Sequence, residues 1–524
     1  MAKSPLTVTV ITDTHYYAKS TGTEGKAYEA ANTKSQLLLK YSAELLDAAF
    51  RQIKADKRTD IVLISGDTTS NGEYDSHHEF IEMLRDLKAA GKRVYVITAT
   101  HDYQDDGQTN SYVGDEKVKI PAAKREELYD MYREFGPDEA LSVHRDSMSY
   151  VVQLQEGYRL FAINNDRNLT GKSGISDDCY AWLCEQVEDA KKNNQFMLMM
   201  THHPLIAPSP VYALIGKNDM MGEHDEIKDF LADLGISLVF TGHSHIHDIS
   251  YDFSENGNVL YDISTSALAG YPGYYRTVRI CGDNVHISSV KTDEPVNGLE
   301  TELSEYLENK FLGMIDNTLE AAATDIDTFA ACVDAMSIHP NVSYRIGWLV
   351  KPFARLIRKM RLGTFAKWVR SETGNADLSD IRDTKVFDFI RQLVLHLYSG
   401  NAPYTPDTAE YKVTMGFINI IDSVLKLLRI KFRLRDIVLP LLYNKGIDDR
   451  EADIPFTADE KAVNSVCINK YEDTVSESKK GPAILALLIL AVIILLPLIP
   501  AAAVLLAIGA GINEIIFYKK IRGN

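Results

Sequence analysis

The sequence predicts an α/β protein extended by an all-α region, on three observations. Between Leu6 and about Thr292, apolar strand-like runs alternate with amphipathic helical stretches. From about 298 to 460 the strand signals give way to helical periodicity. Near the end of the chain, an uncharged run extends from Gly481 to Ile512, longer than the ~20 residues that cross a bilayer as a helix.

In chain order, LTVTVIT predicts the first strand, followed by a helix over 34–55, strand DIVLIS, a helix over 76–90 and strand RVYVITA. SYVVQLQ and YRLFAIN predict a hairpin across Glu156-Gly157. A helix over 178–193, strand QFMLMMT, a helix over 224–234 and strand ISLVFTG follow, and NVLYDIS, YYRTVRI and NVHISSV close the region as adjacent strands. LSEYLENKFLGMI, KVFDFIRQLVLHLY and MGFINIIDSVLKLL then carry helical spacing, with Asn, Gly, Pro and Asp between segments. The expected division is 1–295 for the α/β domain, 296–465 for the helical domain, 466–480 for a polar linker, 481–513 for a membrane anchor and 514–524 for a short basic tail.

Pro497 and Pro500 split the apolar run into halves of roughly 15 residues, each ~22 Å long as a helix. A single kinked, tilted span and a re-entrant hairpin both fit, and basic residues on either side do not choose between them. The stretch holding Trp348, Lys351, Arg355, Arg358, Lys359 and Arg361 reads either as a helix face for anionic lipid headgroups or as a solvated charged face.

Composition narrows the function. Of 524 residues, 45% are hydrophobic and 25% charged, as in folded chains, and a length of this order implies two to four units. The formal charge of −17 lacks the basic excess that drives tight, non-specific nucleic-acid binding. Five cysteines without a CxxC pair argue against a disulfide framework or thiolate zinc site and fit a reducing compartment. Residues 1–16 carry no signal-peptide pattern, so the catalytic part is expected on the cytosolic face of the membrane.

The chemistry-bearing residues fall where predicted strands end, the position at which open α/β sheets place ligands. They are Asp13-Thr14-His15, Gly66-Asp67, Thr100-His101-Asp102, Thr201-His202-His203-Pro204 and Gly242-His243-Ser244-His245. A lone His or Asp at a strand end is more often a cap or turn former, whereas five such clusters read as one site in pieces. Imidazole and carboxylate together suit a hydrolytic divalent ion, and Asp67 has an oxygen pair able to bridge two ions.

These motifs resemble the calcineurin-like metallophosphoesterase superfamily, phosphodiesterase-like branch, over about residues 5–290 and in the same order. The resemblance implies a four-layer αββα sandwich and a phosphoesterase in which two divalent metals, Mn, Fe or Zn, activate a hydroxide aimed at phosphorus. It implies that Asp13, His15 and His245 hold the first metal, that His202 and His243 hold the second, and that Asp67 bridges them. His101 would contact the substrate phosphate and assist the leaving group, with Asp102 orienting or charge-tuning its imidazole. One position departs: the motif has Asn, a ligand of the second metal, where this chain has Thr100. Either the Thr100 hydroxyl coordinates, or water fills the gap, or the second metal binds loosely. His203 and His247 are expected to support ligands or to be satisfied histidines, and His77 and His78 receive no role.

Two segments are expected near substrate. Residues 205–222 read equally as a lid or as a plain surface connection. Residues 264–276 offer Tyr271, Tyr274, Tyr275 and Arg276 for stacking or phosphate contact, with core packing favoured. SGDTTSNGE over 65–73 resembles a form common among phosphodiesterase-like members and favours a diester. The expected substrate is a phosphate ester, lipid-linked or nucleotide. The competing expectation is a membrane-tethered scaffold with an impaired pocket, for which Thr100 is the one supporting feature.

Overall fold

The computed structural model describes residues 3–455 apart from 168–171, 211, 213–218, 330–350, 353, 356, 370–376, 428, 430–432 and 444–447. The expected linker, membrane anchor and basic tail, and Trp348, lie outside the described residues. Among the described residues, no helix is long and apolar enough to cross a membrane.

In chain order the elements are β1 (Leu6–Ile11), α1 (Lys26–Lys34), α2 (Ser42–Ala55), β2 (Ile61–Ser65), α3 (Tyr74–Ala89), β3 (Arg93–Ile97), β4 (Gln108–Val113), β5 (Glu116–Pro121), α4 (Arg125–Tyr132), β6 (Ser142–His144), β7 (Ser149–Gln155) and β8 (Tyr158–Ala162). There follow α5 (Asp177–Lys192), β9 (Phe196–Met200), α6 (His224–Asp233), β10 (Leu238–Thr241), β11 (Asp248–Phe253), β12 (Val259–Ser264), β13 (Tyr274–Cys281) and β14 (Asn284–Lys291). The remainder is α7 (Leu303–Thr324), α8 (Leu362–Trp368), α9 (Val386–Tyr398), α10 (Ala409–Leu427), α11 (Arg435–Leu442) and β15 (Glu451–Pro455).

One sheet runs β15-β14-β13-β1-β2-β3, the second β11-β12-β10-β9-β8-β7-β6, and β4-β5 form a separate hairpin. Side-chain alternation along the strands builds the layers. On β2, Ile61 and Leu63 face the second sheet, meeting Leu160, Leu198 and Phe240. Val62 and Ile64 turn the other way, onto Leu46, Phe50, Phe80 and Leu84 of α2 and α3. On the far side, Phe161, Met199 and Val239 pack under Leu183 and Val187 of α5 and Ile227 and Leu231 of α6. Strands buried on both faces read as continuous apolar runs, which is why these were visible in sequence. The result is a mixed α/β sandwich with helices outside two facing sheets. A separate core joins α8 to α11 through Phe365, Phe389, Phe417, Ile421 and Leu439.

Two expectations are corrected. The helix over 34–55 is broken: α1 ends at Lys34 and α2 begins at Ser42. Ser35 turns extended, its Oγ accepts the Leu37 N–H at 3.0 Å, and the Leu38 N–H is drawn to the Ala269 carbonyl at 2.6 Å. A serine offering its backbone a competing partner ends the helix that propensity alone would continue. Segment 296–465 is also not all helical. EADIP pairs antiparallel with β14, from Asn284↔Pro455 to Ser288↔Glu451, burying Ala452 and Ile454 between the sheets. Five alternating residues are too short a signal to stand out against helical surroundings.

The basic stretch is largely matched within the fold: Arg358 pairs with Glu320 at 2.7 Å, Arg361 with Asp383 at 3.3 Å, and Arg355 Nε donates to the Ala323 carbonyl at 2.9 Å.

Asp262, buried on β12, ties β9 to β10: its carboxylate accepts the Leu205 and Ile206 N–H groups at 2.7 and 3.0 Å and the Thr241 hydroxyl. Burial pushes its pKa from 3.8 to about 6. A raised carboxyl binds its proton more tightly when folded, so its contribution is full below pH ~4 and is lost as pH rises toward 6. Asp262→Asn can keep all three bonds with the hydroxyl as acceptor. It is expected to flatten the pH dependence of urea unfolding between pH 4 and 6, and a slope as steep as the parent's would contradict this.

Candidate metal centre

The five clusters converge at the C-terminal ends of β1, β2, β3, β9 and β10, three from one sheet and two from the other, so the site straddles the seam between sheets. The loops interlock through their backbones. The Asp13 N–H donates to the Gly66 carbonyl at 3.1 Å and the His15 N–H to the Asp67 carbonyl at 3.0 Å. Gly66 has φ +100°, and a Cβ there would stand 2.6 Å from His202 Nδ1; one at Gly242 would stand 2.4 Å from Asp13 Oδ2. Both glycines let backbone approach where a side chain would displace a cluster residue.

Asp13, His15, Asp67, His243 and His245 all have φ between 39° and 62°. Left-handed conformations cost non-glycine residues free energy and concentrate at functional sites. Five such residues at five candidate positions show the loops shaped to aim these side chains inward.

Two groups result: Asp13, His15 and His245, and Asp67, His202 and His243, each residue offering one nitrogen or oxygen atom within 4.8 Å of those of its group. In the first, His245 Nε2 lies 3.2 Å and His15 Nε2 3.6 Å from Asp13 Oδ1, with 3.3 Å between the two nitrogens. In the second, His202 Nε2 lies 3.1 Å from Asp67 Oδ2, which also stands 4.0 Å from His15 Nε2 of the first group. Asp67 therefore faces both. Burial disfavours charge on Asp13 and Asp67, but the surrounding imidazoles outweigh it and hold both well below the usual carboxylate range. Asp13 Oδ1 and His202 Nε2 are buried with no well-formed hydrogen bond, each facing only other members of its own group. Unpaired buried acceptors among convergent imidazoles and ionised carboxylates are the donor set of a divalent cation, and the residues present fit one in each group.

His101 sits against the first group, its ring edge-on to His15 at 4.9 Å. Its N–H donates to Asp67 Oδ1 at 2.9 Å and its Nδ1 to the Ser70 carbonyl at 2.9 Å. Burial lowers its pKa, but Asp67, the Ser70 carbonyl and Asp102 outweigh burial and leave it above the ordinary value. Of the two roles expected of Asp102, its charge raises the His101 pKa, but its carboxylate does not orient the imidazole. Its carboxylate accepts the Thr68 hydroxyl at 2.7 Å, the Thr69 N–H and hydroxyl at 2.8 and 3.1 Å, and the Ala99 N–H at 2.8 Å. With every oxygen turned to its own and the neighbouring loop, it clasps the β2 and β3 ends together, and the Ser70 carbonyl orients His101 instead. His77 supports the same clasp, bonding the Asp102 carbonyl through Nε2 at 2.8 Å.

Thr100 lines an open cleft of about 400 Å³ with Tyr103, Asp166, Arg167, His203 and His243. His203 lies outside both groups, its ring 4.3 Å from that of His243. His247 is satisfied: Nδ1 accepts the Ser266 N–H at 3.2 Å and Nε2 meets the Ser289 hydroxyl at 2.6 Å. Of the aromatic segment, Tyr271 stacks on Phe311 at 5.2 Å and Arg276 is fully buried on backbone carbonyls, so core packing holds. Loop 205–222 is described only in part; its base is closed by the Met221 N–H on the Pro204 carbonyl at 3.1 Å.

Sequence reasoning missed Asn165, whose Oδ1 accepts the N–H groups of His202 and His203, each at 3.2 Å. The signal was present as Asn164-Asn165-Asp166, a polar cluster at another strand end. It also missed Arg167, which lies over the Tyr103 ring at 5.2 Å on the cleft wall.

Residues 6–247 match the family model described as calcineurin-like phosphoesterase. Comparison with curated proteins returns no match. Among solved structures, a dimetal phosphatase from Danio rerio is 14% identical, with 55% of this chain and 97% of that one covered and a TM-score of 0.40. PhoD is 11% identical, with 55% and 66% covered and a TM-score of 0.32. GAP50, the anchor in the inner membrane complex of Plasmodium, is 9% identical, with 60% and 95% covered and a TM-score of 0.32.

Proposed function

We propose that this chain is a metal-dependent phosphoesterase that favours diesters. The observation carrying the reading is one buried carboxylate, Asp67, facing two imidazole groups while its other oxygen holds the His101 backbone. Divalent cations held by Asp13, His15 and His245 and by Asp67, His202 and His243 supply Lewis acidity toward a phosphoryl oxygen and acidify water. The chain's own part is positional and protonic. Left-handed backbone presents the carboxylates and imidazoles in fixed directions, so little reorganisation accompanies reaction. His101, with Nδ1 on the Ser70 carbonyl and its pKa raised, leaves Nε2 free to deliver a proton to the leaving oxygen as a general acid. The cleft beside His243 accommodates a second ester arm, and the SGDTTSNGE stretch supports the same preference.

We further propose that residues 481–513 attach the chain to a membrane, by a span or a hairpin, with the catalytic part facing the cytosol and a lipid-linked or nucleotide ester as substrate. The support is the uncharged run itself and the sparse cysteines.

The test uses the full-length chain stripped of metal and assayed on bis-aryl and mono-aryl phosphates as Mn, Zn, Fe or Co is restored. Metal-dependent cleavage with the bis-aryl ester preferred is expected. Metal binding without cleavage at any pH would overturn the enzymatic reading in favour of a scaffold.

Thr100 makes a separate expectation. With a hydroxyl where the motif carries an amide, the second site binds metal more weakly than the first, and Thr100→Asn is expected to tighten it roughly tenfold. Two equally tight sites in the parent chain by metal titration would contradict this.

A further inference from the structure

We propose that Gln36 is a positioning residue of the first metal group and that the helical segment holds it in place through Lys310. The inference rests on the metal-binding reading of Asp13, His15 and His245.

An imidazole that offers Nε2 to a cation carries its proton on Nδ1, and the partner of that proton fixes ring orientation and basicity. His202 shows the arrangement in the second group: Nδ1 donates to the Ser65 carbonyl at 2.8 Å while Nε2 faces Asp67 at 3.1 Å. In the first group His245 turns Nε2 to Asp13 and His15, and its Nδ1 lies 2.5 Å from the side-chain amide of Gln36. A half-turn of that amide exchanges its nitrogen for its oxygen, the acceptor a protonated Nδ1 requires. Gln36 thus does with a side chain what the Ser65 carbonyl does with backbone.

Gln36 reaches His245 because the chain is not helical there. It sits in the interruption between α1 and α2, a turn held from three directions. Ser35 Oγ accepts the Leu37 N–H, and the Ala269 carbonyl accepts the Leu38 N–H. From α7, the Lys310 ammonium donates to the Asn32 and Ser35 carbonyls, each at 2.6 Å. Leu38 packs in the same cluster as Leu303 and Leu307 of α7. Lys310 is half-buried, and burial lowers its pKa to about 8. An ammonium held by the Asn32 carbonyl in the last turn of α1 and by the Ser35 carbonyl of the turn that carries Gln36 ties α7 to the orientation of one metal ligand. The helical segment is then part of the metal centre rather than an appendage to it.

The test is Mn²⁺ titration of the full-length chain and its variants in competition with a chelator, with Co²⁺ absorption reporting ligand geometry. Gln36→Leu is expected to weaken one of two sites about 10- to 100-fold, leave the other unchanged and alter the Co²⁺ spectrum of the weakened site. Gln36→Glu, which supplies an acceptor to Nδ1–H, restores affinity to the parent level or above. Lys310→Met weakens the same site. Parent affinity at both sites in Gln36→Leu overturns the proposal, as does equal weakening by Leu and Glu, which a merely structural role produces. A parent chain that binds no divalent metal overturns the metal-binding reading with it, whereas two occupied sites indifferent to Gln36 overturn this inference alone.

Discussion

Replacing Asp67 by alanine is expected to reduce metal-dependent esterase activity by more than about 100-fold, because partners standing behind metal ligands alone account for 10- to 100-fold. Asp67 does three things at once. Its Oδ2 stands 3.1 Å from His202 Nε2 and 4.0 Å from His15 Nε2, so one oxygen serves both groups. Its Oδ1 accepts the His101 N–H, so the general acid is placed by the same side chain. Its charge is opposed by burial and sustained by the imidazoles, above all His202. Asp67→Asn keeps the shape and the bond to His101 but loses the charge, and is expected to fall nearly as far as alanine. Steady-state rates on a bis-aryl phosphate decide it, with circular dichroism to confirm folding. A folded Asp67→Ala chain cleaving at the parent rate would place the activity elsewhere.

The second large effect concerns stability. Arg276→Met is expected to cost about 3–5 kcal/mol, read as a fall in the urea midpoint. The guanidinium is fully buried, with Nη1 donating to the Asp449 carbonyl at 2.8 Å and Nη2 to the Ser264 and Asp248 carbonyls at 2.8 and 3.1 Å. Burial lowers its pKa only to about 10, so it remains a cation at neutral pH. A planar fork reaches three carbonyls from separate segments, which an ammonium cannot match, so Arg276→Lys is expected to recover only part of the loss. A loss under about 1 kcal/mol in Arg276→Met would contradict this account.

What was legible in the sequence follows from how each feature is encoded. Strands buried on both faces announce themselves as apolar runs, and a polar cluster directly after such a run needs no tertiary knowledge to be noticed. Asp13, His15, Asp67, His202, His243 and His245 were all visible that way, and the structure brings them into two groups. What escaped depends on partners far along the chain. Gln36 lay inside a segment whose propensity reads as helix, and beside the local Ser35 turn it is Ala269 and Lys310, far along the chain, that hold it out of one. Asp102 stands beside His101 in sequence, which suggested that it orients or charge-tunes the imidazole; its charge does raise the His101 pKa, but its carboxylate faces Thr68, Thr69 and Ala99. β15 is too short to register, and its burial is supplied by β14, made long before it.

That last pairing bears on how the chain is assembled during synthesis. β14 leaves the ribosome well ahead of Glu451–Pro455, with the whole helical segment in between. Until those residues arrive, β14 presents an unpaired row of amide and carbonyl groups, open to strands of neighbouring nascent chains. The pairing also joins residues far apart in sequence, an entropically slow closure. A product stopped at the apparent domain border near residue 295 keeps that edge permanently bare and lacks the Asp449 carbonyl beneath Arg276. The border seen in sequence marks a change of texture in the chain, while the sheet it appears to close gains its last strand only at Glu451–Pro455.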